Sequence, residues 1–271
     1  RGGVNSFSWH IDNLTTGGNS WDKTSSVSDI LPGGIKHKEF VEQLDLLAQM
    51  LKSLKVGFTN IPIVFRPWHE HNGDWFWWGK GNCTKEEYIA LFRFTVDYLR
   101  VEKKIHHLLY AFSPDRSRLK MDSLSEANYL YGYPGDNYVD IIGLDNYGDV
   151  GRVGGLDSPE KQRDNFVNSL KLITKIAREK GKVAALTETG LEGVTQPDWF
   201  TNIVLNPIIE NDSDIDIAWV LVWRNANTKH HYAPYKGHVS AEDFKMFEQN
   251  KNTFFEKDIN NPYKRNKALS R

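Results

Sequence analysis

Two glutamates stand where this sequence could use them for catalysis. Glu70 lies in FRPWHEHNGDWFWW, residues 65 to 78, just past an apolar run and among Arg66, Trp68, His69 and Trp75. A carboxyl group crowded by imidazole and indoles is partly desolvated, which raises its pKa and suits it to act as a general acid. A solvated loop glutamate is the ordinary alternative, and the density of Arg, His and Trp around Glu70 tells against it. Glu188 closes the apolar run of VAALTETG, residues 183 to 190. That motif alone is common, and its weight comes from the pairing. Each glutamate ends a β-like run, three runs apart, which places them across the mouth of a barrel. Two opposed carboxyl groups are the minimum for glycoside hydrolysis, about 5–5.5 Å apart for retention and about 6.5–9.5 Å for inversion.

Other residues at the ends of apolar runs support the pair. Asp145, Asn146 and Tyr147 follow one run, Trp223 and Arg224 another, and Trp9 and His10 a third. An arginine or a tyrosine hydroxyl beside a nucleophilic carboxylate can orient it and hold it ionised. Nine Trp, eleven Tyr and fourteen Phe make the chain aromatic-rich. Trp75, Trp77 and Trp78 sit among Gly73, Asp74 and Gly79, so aromatic faces open to a groove are expected there, suited to the apolar faces of sugar rings. Trp21, in a Gly/Asn/Ser-rich loop, reads equally as a sugar platform or a loop anchor. His69-Glu70-His71 does not have the H-E-x-x-H helical spacing of a zinc protease, so no metal and no cofactor is expected. The pairs His106-His107 and His230-His231 read as solvated or capping residues.

The elements that must position these groups follow from the apolar runs at 4–9, 61–65, 108–113, 139–144, 183–187 and 217–223. They are β-rich and nearly continuous, as in parallel strands buried on both faces. Helical spacing fills the gaps. Phe40, Leu44, Leu47, Leu51 and Leu54 mark 37–55. Tyr88, Leu91, Phe92, Val96 and Leu99 follow Thr84, an N-cap with Glu87 three residues on. Phe166, Leu170, Ile173 and Ala177 precede Gly181, a C-terminal glycine stop. Less regular helices are expected near 198–210 and 240–250. Strand and helix in alternation predict a parallel α/β sheet. The runs end on His10, Arg66, Asp145, Glu188 and Arg224, and polar groups at so many strand ends favour a (β/α)8 TIM barrel, whose strand C-termini converge on one catalytic face. A doubly wound sheet would carry a glycine-rich phosphate loop, and none follows any run. Only six strands are visible where eight close a barrel, and the abrupt start at Arg1 suggests that two N-terminal βα units are absent.

One domain over 1–271 is expected, at a length usual for this fold. A net charge of −1, with Lys and Arg spread evenly, gives no pull toward nucleic acid or anionic membrane. No apolar stretch is long enough to span a bilayer. The single cysteine, Cys83, excludes an intrachain disulfide. A monomer is expected, and the basic ending at 264–271 reads as a frayed tail.

The motifs GGVNSFSWH, RPWHEHNGDWFWWG, LDNYGD, LTETG and VWRNA resemble, in order and across nearly the whole chain, glycoside hydrolase family 26, chiefly bacterial β-1,4-mannanases. The resemblance implies a (β/α)8 barrel with the acid/base at Glu70 after the fourth strand and the nucleophile at Glu188 after the seventh. The visible strands would then be the third to the eighth. It also implies sugar contacts at His10, Arg66, Trp68, His69, Trp75, Asp145, Tyr147, Trp223 and Arg224, and retention through a glycosyl-enzyme intermediate. The implied substrate is mannan, glucomannan or galactomannan, cut internally or released as mannobiose. An extracytoplasmic setting is implied too, secreted, periplasmic or surface-anchored. Hydrolysis of another β-glycan, xylan or mixed-linkage glucan, remains a rival, as does a non-catalytic carbohydrate-binding barrel. The long segments between His10 and Lys36 and from Asn225 to Ser240 could each wall the cleft or be plain surface loops.

Overall fold

In the computed structural model, which describes residues 4–154 and 157–258, the apolar runs become six parallel strands hydrogen-bonded in sequence order. These are β1 (Asn5–Ser8), β4 (Ile63–Arg66), β5 (Leu108–Phe112), β6 (Ile141–Asn146), β7 (Val183–Thr189) and β8 (Val220–Val222). The sequence reading missed a short antiparallel hairpin, β2 (Lys55–Val56) with β3 (Thr59–Asn60), exposed and turning at Gly57. Its two-residue strands carry no apolar periodicity that could have announced it. The expected basic tail at 264–271 lies outside the described residues.

Helices cover one face of the sheet for the reasons their sequences state. His37–Ser53 buries Phe40, Leu44, Leu47, Ala48 and Leu51 at 3–4 spacing. Lys85–Asp97 begins at Thr84 with a complete capping box: the Thr84 Oγ1 accepts from the Glu87 N–H at 3.1 Å, and the Glu87 carboxylate from the Thr84 N–H at 2.8 Å. Pro159–Lys180 starts on a Ser158 cap with proline in its first turn, and stops at Gly181, whose φ of 62° is left-handed. The helix expected near 198–210 opens instead as a π-helical turn, Trp199–Leu205, before a single α turn, Asn206–Ile209. Ala241–Gln249 forms as expected.

Strand alternation divides the core. Ile63 and Phe65 join the large cluster under the helices, whereas Val64, Ala111, Ile141 and Ala185, with Trp219 against them, pack on the opposite face. Six ordered parallel strands with helices on the outside are the arc of a (β/α)8 barrel. Among the described residues β1 and β8 do not pair with each other. No helix of the described residues is long and apolar enough to cross a membrane.

Candidate active site

Glu188 owes its position to an irregularity in the sheet. The register of β6 with β7 runs Leu144↔Leu186 and then Asp145↔Glu188, so β7 carries one residue more, Thr187. A bulge of this kind re-aims the side chains beside it. The Thr187 hydroxyl donates to Asp145 at 2.7 Å. Arg66, at the end of β4, donates through Nη2 to Asp145 and through Nη1 to Glu188 Oε2 at 2.9 Å. Burial alone would pull the guanidinium pKa down, but the two carboxylates outweigh it and hold Arg66 above its ordinary value. Tyr147 donates its hydroxyl to the other oxygen, Glu188 Oε1, at 2.6 Å. Burial, then the charge of Glu188, raises that phenol well above its usual range. Both oxygens of Glu188 therefore face a fixed donor.

Two glycines make room for this arrangement. A Cβ on Gly143 would lie 2.6 Å from Ser113 Oγ and from Thr187 Cγ2, so only a bare backbone lets β5 and β7 bring those side chains together over β6. Gly190, at φ 146°, receives the Tyr232 ring, which a Cβ would meet at 2.4 Å. Tyr232 in turn packs edge-on against Tyr147, with centroids 6.2 Å apart.

Glu70 lies in a different setting. It follows β4 in a tight turn in which Trp68 and Glu70 both adopt positive φ, 56° and 54°, a conformation that costs a non-glycine residue about 1–3 kcal/mol and that clusters at functional sites. Its N–H donates to the Ser113 carbonyl at 2.7 Å, and its carboxylate accepts from Trp75 Nε1 at 2.7 Å. Burial pushes the Glu70 carboxyl up to about 8, helped by the negative charges of Asp115 and Glu188 and opposed by the Trp75 donor and Arg66. Asp115 is drawn in by a reciprocal pair. The Asn72 side chain donates to the Asp115 carbonyl at 2.7 Å and accepts from its N–H at 2.8 Å.

The structure brings Glu70, Glu188, Arg66, Asp145, Tyr147 and Trp75 into one hydrogen-bonded neighbourhood, and it places the expected sugar contacts at different depths. Arg66 and Asp145 are 2% and 0% exposed and work from behind Glu188. Trp68 is fully buried: its Nε1 donates to Thr95 Oγ1, and its ring packs against Trp9, Trp77 and Trp78. Trp77 and Trp78, expected to open onto a groove, are core residues whose N–H groups bond the carbonyls of Ile11 and His69. They fill the space between the turn after β4 and its neighbours, a packing demand that glycine-rich flanks concealed. His69 is buried beneath His10, ring centroids 4.7 Å apart, and His10 is exposed. Trp223 is half-buried, and its backbone N–H donates to the Thr189 carbonyl of β7 at 2.9 Å. Arg224 is exposed over the Trp223 ring and donates to His230, which contacts Glu192. Trp21 is exposed, its ring 5.0 Å from Phe76.

His231, read as solvated or capping, is instead buried with its Nε2 3.3 Å from that of His238. His107 does cap, touching the Leu51 carbonyl at the end of its helix. Among the described residues no group of three His, Cys, Asp or Glu side chains is placed to hold a metal ion. Ser113, Asp115 and Arg118 were missed. Ser113 closes the run 108–113 and the other two follow it, and the strand-end rule that found the other groups points there when applied to that run as well.

Known proteins resemble this chain in sequence and in fold. The sequence pattern described as Glycosyl hydrolase family 26 matches residues 1–237. A mannan endo-1,4-beta-mannosidase of Bifidobacterium adolescentis is 34% identical over 273 residues, spanning 95% of this chain and 26% of that protein. The structure of a GH26 beta-mannanase from Bacteroides ovatus superposes with a TM-score of 0.86 at 40% identity, covering 97% of this chain and 73% of that one. A modular endo-beta-1,4-mannanase from Cellulomonas fimi also gives 0.86, at 36% identity, covering 97% and 58%. The chain thus spans about a quarter of the length of the Bifidobacterium relative.

Proposed function

The chain belongs to glycosyl hydrolase family 26, and from that premise we propose that it cleaves β-1,4-mannosidic bonds in mannan, glucomannan or galactomannan with retention of configuration. The observation that carries the reading is the contrast between two carboxyl groups of one site. Burial and neighbouring negative charge keep Glu70 protonated near neutrality, while Arg66 and Tyr147 hold both oxygens of Glu188 in place. Environments that differ in this way divide acid from nucleophile. Glu70 gives its proton to the leaving glycosidic oxygen as Glu188 Oε attacks the anomeric carbon, and the leaving sugar departs with that proton. Glu70, now ionised, takes a proton from water. The water oxygen attacks the same carbon, and the Glu188–sugar bond breaks. Polymeric mannan does not enter cells, which supports work outside the cytoplasm.

Glu188→Ala should abolish turnover of mannan while leaving mannohexaose binding largely intact, and substantial residual hydrolysis would overturn the assignment. Mannohexaose assayed beside xylo- and gluco-oligosaccharides separates mannanase action from that of other β-glycan hydrolases. Products sampled early from mannan distinguish internal cleavage from release of mannobiose, and the anomer first formed reports retention or inversion.

A further inference from the structure

The loop after β5 carries a cation that the chemistry above leaves unused. The Arg118 guanidinium lies over the Trp75 indole, 5.1 Å from the ring centroid, and donates to Asp74, the residue before Trp75. Lys23, on the loop after β1, donates to the second oxygen of Asp74 at 3.2 Å. Asp74 therefore ties together the loops after β1, β4 and β5. Gly73 bounds the same indole. A Cβ there would fall 2.3, 2.4 and 2.5 Å from three adjacent atoms of the six-membered ring. Distances so nearly equal mean that the glycine backbone lies against the flat of the ring rather than its rim. The indole is thus confined by bare backbone at Gly73 and by a cation held in place by its own neighbour.

That confinement matters because Trp75 Nε1 is the donor to Glu70 Oε2 at 2.7 Å. Half a turn of the indole about χ2 would carry the N–H away from the carboxyl group. We infer that Arg118, clasped to Asp74, is a positioning residue that fixes Trp75 in the orientation that holds Glu70. The inference rests on the reading of Glu70 as the proton donor. Stability does not explain the contact, since Arg118 and Asp74 side chains are 47% and 53% exposed and such pairs add little. For the same reason variants at Arg118 should fold.

The charged and titratable groups facing Glu70 are Asp115 from the loop after β5, Glu188 from β7, Arg66 from β4, and Asp145 and Tyr147 from the end of β6. Arg118 also lowers the Asp115 carboxyl, so its charge can reach Glu70 by a second route; the route through the indole donor, which favours the ionised form of Glu70, is the one that vanishes in a Trp75→Phe background.

The test compares pH profiles of kcat/KM for the protein and for Trp75→Phe, Arg118→Ala and the double variant. Trp75→Phe should shift the alkaline limb to higher pH and lower kcat roughly tenfold, the weight of a hydrogen bond to a charged group. Arg118→Ala should shift the limb the same way with a smaller loss, about threefold, in kcat rather than KM. In the Trp75→Phe background Arg118→Ala should add nothing. An unchanged limb and kcat in Arg118→Ala, an effect confined to KM, or an undiminished effect in the double variant would each overturn the inference. Failure of the functional reading would show differently, as wild-type protein without activity on mannan or as Glu70 variants that retain it.

Discussion

At the residue scale, the two glutamates differ in what surrounds them, and that difference can be measured. In the proposed reaction Glu70 must be protonated to assist the leaving group, and its carboxyl is pushed up to about 8 by burial and by the charges of Asp115 and Glu188. Protonation is lost as pH rises through that value, so kcat/KM on unactivated manno-oligosaccharides should fall on the alkaline side near pH 8. A limb near the ordinary glutamate range would contradict the placement. Glu70→Gln should lower kcat/KM by about 10²–10⁴-fold on such substrates. The loss should be far smaller on a dinitrophenyl mannoside, whose leaving group needs no proton, and an equal loss on both would remove Glu70 from the acid role. Tyr147→Phe deletes one of two donors to Glu188, a bond to a charged group worth about 1.5–3 kcal/mol, or roughly ten- to a hundredfold in kcat/KM. The glutamates were legible from their positions after apolar runs. The arrangement around them was not: burial is invisible in a motif, and only the fold shows that Arg66 and Asp145 are buried beside Glu188.

At the element scale, the sheet works through small departures from regularity. The extra residue Thr187 in β7 places its hydroxyl on Asp145 while Glu188 faces the donors, and Gly143 on β6 leaves the space into which Thr187 and Ser113 converge. Gly143→Ala would force a methyl group to within 2.6 Å of both neighbours. Overpacking of this kind costs about 1–3 kcal/mol, and here it should also displace Thr187 from Asp145. The expected result is a lower unfolding midpoint together with a loss of kcat. A variant with unchanged stability and activity would show that the contact relaxes freely. Elements with strong local signals were legible: the Thr84–Glu87 capping box, the Gly181 stop and the six apolar runs all appear where the sequence puts them. The bulge, the π-helical turn at Trp199–Leu205 and the β2–β3 hairpin were not, since each depends on what its neighbours pack against rather than on its own periodicity.

At the scale of the whole molecule, the site stands on the best-supported part of the sheet. Glu70 follows β4, which pairs with β1 and β5, and Glu188 is the last residue but one of β7, which pairs with β6 and β8. β4 is buried throughout, whereas β8 is half-buried along its three residues and β1, exposed to half-buried, has one partner among the described residues. Among the described residues, opening β1 or β8 breaks one ladder, but opening β4 or β7 breaks two and exposes core side chains as well. Hydrogen exchange should therefore divide the sheet. Amides of Val64, Phe65, Ile142 and Ala185 should exchange at the rate of global unfolding, and those of Ser6 and Leu221 by cheaper local openings. Uniform protection across all six strands would show that the outer pairs open only with the core. Mannohexaose supplies the second half of the measurement. It should slow exchange in the turn after β4, at Tyr147 and across 223–232, where His230 and Tyr232 lean on Arg224 and Tyr147. Slowing confined to the face opposite the strand C-termini would place the ligand away from both glutamates and separate binding from the chemistry assigned to them.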